Sequence, residues 1–197
     1  MDPDGVLGRW LEEVVSTPGL TGIGTVDQAR SVLLDDALRA RPLVEANGGP
    51  VVDVGSGGGS PGLPLAVVLP ERRFTLLEAE RRKAEALVRL ARDLPNVEVV
   101  WGRAEAQDVD TYGVALAKAL AKPPVAAELT LPLVRPGGVA VLWVGDTADR
   151  ARVGRVAARL EAEVEGDDAG LIVLRKLAPT PEGFPRRPGM AKKRPLR

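Results

Sequence analysis

The sequence predicts a doubly wound α/β fold. Three observations carry that prediction: short apolar strands alternate with amphipathic helices from Pro50 onward, glycines cluster at the end of the first strand, and an acid ends the second. Ahead of the alternation, Val6, Leu7, Trp10, Leu11 and Val14 recur at helical spacing, which predicts a helix over residues 5–17 broken by Pro18-Gly19. Thr25-Val26-Asp27-Gln28 has capping-box form and opens a second helix through Val32, Leu33, Ala37 and Val44, stopped at Asn47-Gly48-Gly49-Pro50. Val51–Val54 then reads as a buried strand, Pro61–Leu69 as a short helix ended by Pro70, and Phe74–Leu77 as a second strand. A charged amphipathic helix from Glu80 to about Asp93 precedes a third strand over Val97–Trp101. Val114–Ala117 is a fourth strand, with a helix near Pro124–Leu133. Gly137-Gly138 introduces a fifth strand over Val139–Val144, and a helix follows from about Thr147 to Ala162. Ala162–Glu165 and Leu171–Leu177 form a closing antiparallel hairpin around Gly166-Asp167-Asp168-Ala169-Gly170. The chain thus divides into a helical region over 1–49, an α/β core over 50–183 and a tail over 184–197.

Composition narrows the chemistry. With 197 residues the chain is long enough for one domain with a sizeable core, and it contains neither cysteine nor histidine. Disulfides, zinc–thiolate sites, thiolate nucleophiles, Ser-His-Asp triads and imidazole acid–base catalysis are therefore excluded, and no metal site is expected. No apolar run approaches the ~20 residues of a membrane helix, and Met1-Asp2-Pro3-Asp4 lacks the basic-then-apolar order of a secretory signal. A cytoplasmic location without a membrane partner is the expectation.

Net charge is zero but unevenly spread. Arg186, Arg187, Lys192, Lys193, Arg194 and Arg197 lie in the last 14 residues with no acid among them, so the rest of the chain carries 21 basic against 27 acidic residues. A basic tail on an acidic body points to a polyanion contact made by the tail, or to a solvated end. Trp10, Trp101 and Trp143 each sit in an apolar pattern and are expected in the core rather than stacked on bases.

Ligands of doubly wound sheets bind beyond the carboxyl ends of the strands, where strand order reverses. The turn Gly55-Ser56-Gly57-Gly58-Gly59 removes side chains so that backbone can approach a ligand. A phosphate-binding P-loop would need Gly-Lys-Ser/Thr where Gly59-Ser60-Pro61 stands, and a dinucleotide fingerprint would need glycine where Ser60 stands. Asp53, Gly55, Gly57 and Gly59 instead satisfy Asp-x-Gly-x-Gly-x-Gly, the first motif of class I S-adenosylmethionine methyltransferases, whose Rossmann-like fold this chain resembles. Glu78, at the end of the second strand, is placed to accept ribose hydroxyls of either kind of nucleotide cofactor.

Asp53-Val54-Gly55-Ser56-Gly57-Gly58-Gly59-Ser60-Pro61-Gly62-Leu63-Pro64-Leu65-Ala66 is similar to the signature of the bacterial 16S ribosomal RNA guanine-N7 methyltransferases, the RsmG (GidB) family. Thr75-Leu76-Leu77-Glu78, Arg103-Ala104-Glu105, Pro132-Leu133-Val134-Arg135-Pro136-Gly137-Gly138 and the tail from Phe184 to Leu196 extend the resemblance over roughly residues 20–197. It implies a cofactor pocket of Gly55, Ser60, Glu78, Ala79, Glu80, Ala104 and Glu105, with Lys118 standing where the family has arginine. It also implies S-adenosylmethionine as cofactor, methyl transfer to guanine N7, and ribosomal RNA or the small subunit as partner. Arg186, Arg187, Lys192, Lys193 and Arg194 would contact the RNA from a tail kept extended by its prolines. The chain departs from the family in its shorter N-terminal region, in Ser31–Asp36, in Lys118 and in Val144-Gly145. A cofactor-binding but non-catalytic RNA- or ribosome-binding homologue and a methyltransferase acting on another substrate are the alternatives; no single catalytic residue is assigned.

Overall fold

The computed structural model describes residues 2–168 and 170–196. Helix α1 (Pro3–Ser16) buries the five residues that share its apolar face: Val6, Leu7, Trp10, Leu11 and Val14. The second predicted helix is not continuous. Thr25 caps α2 (Val26–Ala29) by accepting the Gln28 backbone N–H, a π-helical stretch covers Arg30–Asp35, and α3 (Asp36–Leu38) and α4 (Arg41–Ala46) follow. A π turn is one residue wider than an α turn and redirects side chains and carbonyls, so Val32 is left exposed instead of joining the core.

Seven strands form one sheet: β1 (Val51–Val54), β2 (Phe74–Glu78), β3 (Val97–Trp101), β4 (Tyr112–Ala117), β5 (Val134–Trp143), β6 (Ala162–Asp168) and β7 (Leu171–Lys176). Their order is β3-β2-β1-β4-β5-β7-β6, with β1 to β5 parallel and β7 antiparallel to both β5 and β6. The closing hairpin is present, its first strand running on to Asp168 and its second ending at Lys176; Ala169 between them lies outside the described residues. β5 also begins earlier than expected, taking in Arg135-Pro136-Gly137 as an exposed lead.

Period-two alternation sorts the strand side chains onto two faces. Val52, Val54, Ala115, Ala117, Ala140 and Leu142 pack with α7 (Pro123–Thr130) and α8 (Arg150–Ala158). Val51, Phe74, Val114, Leu116, Val139 and Val141 face the other way, against α4 and α5 (Gly62–Val68). Beside them, Leu76 joins α1, α5 and α6 (Arg81–Leu90) in a third cluster, so the N-terminal helices share a core with the sheet. Strand order in the sheet reverses between β1 and β4, and the gap at their carboxyl ends is where the cavity opens. Among the described residues no helix is long and apolar enough to cross a membrane.

The tail is docked rather than extended. Phe184 packs against the core, Met190–Lys193 forms the short helix α9, and Ala191 and Leu196 are buried with α7 and α8. Arg152 donates twice to the Leu196 carbonyl, at 2.9 and 2.7 Å. Arg197 lies outside the described residues.

Candidate functional site

A cavity of about 490 Å³ opens at the carboxyl ends of β1, β2 and β4. Its floor is the glycine turn. Gly55 and Gly57 have φ of +75° and +56°, where a β-carbon is disfavoured. A β-carbon on Gly55 would come within 2.6 Å of Leu120 Cδ1 from the β4–α7 connection, so a side chain there would collide across the switch point. One on Gly57 would meet only the Gly55 carbonyl, at 3.9 Å, and would project into open space.

Two acids hold this turn from different sides. Glu78 is buried and lines the cavity; its Oε2 accepts the Gly57 N–H at 2.9 Å and its Oε1 accepts the Glu80 N–H at 2.8 Å. Each carboxylate oxygen retains a free lone pair, which leaves Glu78 able to accept hydroxyl donors from a ligand. Asp53 lies behind the turn, its Oδ2 accepting the Gly62 N–H at 3.0 Å at the start of α5. Burial outweighs the Gly62 hydrogen bond and pushes the Asp53 carboxyl from 3.8 up to about 7. Between those values the native chain binds a proton that the unfolded chain has lost. This group therefore lowers stability as pH rises through that window.

Of the residues assigned from sequence, Gly55, Gly57, Ser60, Glu78, Ala79, Ala104, Glu105 and Lys118 line the cavity together. Three others do not. Asp53 is sealed under α5 and acts on the turn's shape. Gly59, at φ +101°, closes against Leu63 and the Trp10 indole, where a β-carbon would sit 3.2 Å from each. Glu80 turns outward to pair with Lys83 at 2.9 Å, leaving only its backbone N–H in the site.

The opposite wall is assembled by side chains from distant segments. Lys118 pairs with Asp36 at 2.8 Å and also donates to the Val32 carbonyl. Ser60 Oγ donates to the Leu33 carbonyl at 2.7 Å. Both acceptors lie in the π-helical stretch, so the interruption of the second helix supplies part of the wall. Leu20, Thr21, Val32, Leu33, Arg103, Leu120, Leu129 and Lys192 line the cavity without having been assigned to it from sequence. Arg103 had a local signal, since it begins the segment Arg103-Ala104-Glu105; the others come from elements whose placement only the fold supplies.

The tail's basic residues separate into two kinds. Arg186 forms a bidentate pair with buried Glu128 at 2.6 and 2.7 Å and donates to the Arg194 carbonyl at 2.9 Å, so its charge is engaged inside the molecule. Arg187, Lys192, Lys193 and Arg194 keep their charges toward solvent, with Arg187, Lys193 and Arg194 away from the cavity lining. Glu105 accepts the Gly189 N–H at 2.8 Å, joining the cavity to the tail. Of the tryptophans, Trp10 is core and Trp143 half-buried, but Trp101 is 61% exposed on edge strand β3, with the Arg81 guanidinium 5.5 Å from its ring centre. An edge strand has no neighbouring strand on one side, and a side chain at its end can stay exposed, which its apolar sequence does not reveal. Among the described residues no cluster of three His, Cys, Asp or Glu side chains could hold a metal ion.

Known proteins resemble this chain in sequence and in fold. The family model described as rRNA small subunit methyltransferase G (GidB) matches residues 8–179, beginning within α1 and stopping before the tail. A ribosomal RNA small subunit methyltransferase G from Pelotomaculum thermopropionicum is 37% identical over 81% of this chain and 74% of its own length. One from Rubrobacter xylanophilus is 40% identical over 85% and 70%. Among solved structures, the T. thermophilus 16S rRNA N2 methyltransferase RsmC, in complex with AdoMet and guanosine, superposes with a TM-score of 0.53 at 19% identity. That alignment covers 74% of this chain and 39% of RsmC. The likeness is one of fold.

Proposed function

This chain belongs to the GidB family, rRNA small subunit methyltransferase G, and on that premise we propose that it transfers a methyl group from S-adenosylmethionine to a guanine N7 of 16S ribosomal RNA. The observation that carries the reading is the glycine turn tied to Glu78 at the mouth of the β1–β4 gap. It is a side-chain-free floor beside a carboxylate with spare acceptor capacity. S-adenosylmethionine fits these donors and acceptors: Glu78 would accept its ribose hydroxyls, backbone of Gly55 to Gly58 would receive its amino-acid part, and Ala79 and Ala104 would leave room for its base. When bound, the cofactor supplies an electrophilic sulfonium methyl.

The residue inventory suits that reaction. Guanine N7 offers a lone pair and carries no proton, so no general base is required, and a chain without histidine loses nothing. What the chain must do is hold the base in line and exclude water. Leu20, Val32, Leu33, Leu120 and Leu129 supply apolar walls for that purpose, while Lys118, fixed by Asp36, sets the position of the β4–α7 connection. Mass spectrometry of 16S ribosomal RNA from cells with and without the gene tests the proposal. One methylated guanine should disappear on deletion, and an identical guanine methylation profile would remove it.

A further inference from the structure

The cations around the cavity are not equivalent. Lys83 pairs with Glu80 at 2.9 Å, Arg103 lies 3.6 Å from Glu105, and Lys118 pairs with Asp36 at 2.8 Å. Lys192 lines the same cavity from α9, is exposed at its rim, and among the described residues has no ion pair or hydrogen bond. A cation held beside a cavity by a fixed frame, with its own charge uncommitted, is placed for a ligand's anionic oxygen.

The frame is anchored at several points. Glu105 takes the Gly189 N–H, Glu128 takes Arg186, Arg152 takes the Leu196 carbonyl, and Ala191 and Leu196 are buried on either side of Lys192. Two of these anchors, Glu105 and Glu128, are nearly buried acids, with side chains 7% and 3% exposed. The segment therefore presents Lys192 to the cavity from a fixed backbone.

Resting on the reading above, we propose that Lys192 is a substrate-binding residue that takes a phosphate oxygen of the RNA strand presenting the target base. An anionic oxygen could come from that strand or from the cofactor's carboxylate. The strand is the better match, because Lys192 sits at the exposed rim and Lys193 and Arg194 continue the positive charge outward along solvent. Arg186, engaged by Glu128, is then a positioning residue for the segment.

The test uses the full chain with Lys192→Gln and Lys192→Arg, reading methylation of small-subunit RNA, salt dependence of RNA binding, and S-adenosylhomocysteine affinity. Lys192→Gln should raise KM for RNA about tenfold and reduce the slope of log affinity against log salt by about one. Cofactor-product affinity should stay unchanged, and Lys192→Arg should restore the slope. Wild-type KM and salt slope in Lys192→Gln would overturn the proposal. A fall in S-adenosylhomocysteine affinity of the same size would also overturn it, assigning the contact to the cofactor's carboxylate. If the wild-type chain bound no S-adenosylhomocysteine, the methyltransferase reading would fail instead, and the RNA salt slope would still decide the role of Lys192.

Discussion

The two walls of the cavity are built by different means. On the β1–β2 side, consecutive backbone does the work: the turn from Gly55 to Ser60 is shaped by positive φ values and held by Glu78 and Asp53, which end or lie in adjacent strands. On the far side no continuous segment forms the wall. Lys118 reaches back 86 residues to the Val32 carbonyl, Glu105 reaches 84 residues forward to Gly189, and Arg186 meets Glu128 across 58 residues. A wall made of backbone should fail by being filled; a wall made of paired side chains should fail by losing one partner.

Filling the first wall should have the largest effect. Gly57→Val puts a branched side chain at φ +56° into the open cavity, and it should take S-adenosylhomocysteine binding out of the calorimetric range. The left-handed backbone costs such a residue only about 1–2 kcal/mol, so thermal unfolding should show a folded protein. Wild-type affinity in this variant would break the distinction between the walls.

Next comes the buried pair that anchors the tail behind the second wall. Arg186→Ala strands the Glu128 carboxylate, whose side chain is 3% exposed, and should destabilise the protein by about 3–5 kcal/mol in denaturant titration. A loss within experimental error would mean that this pair does not anchor the tail. Glu78→Ala, on the first wall, should weaken S-adenosylhomocysteine binding by about 1–3 kcal/mol, the usual scale for hydrogen bonds to a charged acceptor. Its stability loss should be smaller than that of Arg186→Ala, and the reverse order would contradict the assignment of roles. The smallest effect is expected at a partly exposed pair of the second wall. Lys118 and Asp36 have side chains 13% and 27% exposed, and a double-mutant cycle with alanine at both positions should give a coupling of about 1 kcal/mol or less in stability.

The same difference explains what was legible in the sequence. Strand alternation, the glycine turn, Glu78 and the order of elements are local patterns, and the fold follows from them without knowledge of long-range contacts. Asp53, Gly59 and Glu80 fit local motifs too, but a motif fixes neither the side of a turn nor the direction of a side chain. Asp53 is therefore found beneath α5 and Glu80 beside Lys83. The second wall was nearly invisible, because its geometry depends on a π-helical interruption over Arg30–Asp35 and on a docked tail. The tail's composition reads as an extended cationic arm. Its docking instead rests on the apolar residues Phe184, Ala191 and Leu196, and on acids lying far back in the chain. Trp101 shows the limit in the other direction, since an apolar strand pattern does not distinguish a sheet's centre from its edge.

Two tryptophans that donate to backbone of the cavity lining give this protein an optical handle. The Trp10 indole donates to the Gly58 carbonyl at 2.9 Å from behind the turn, and the Trp101 indole donates to the carbonyl of cavity-lining Ala79 at 3.2 Å from the sheet's edge. One chromophore is shielded and the other wet, so their emission maxima should be separated. A ligand that shifts either carbonyl would announce itself in the intrinsic fluorescence without any label.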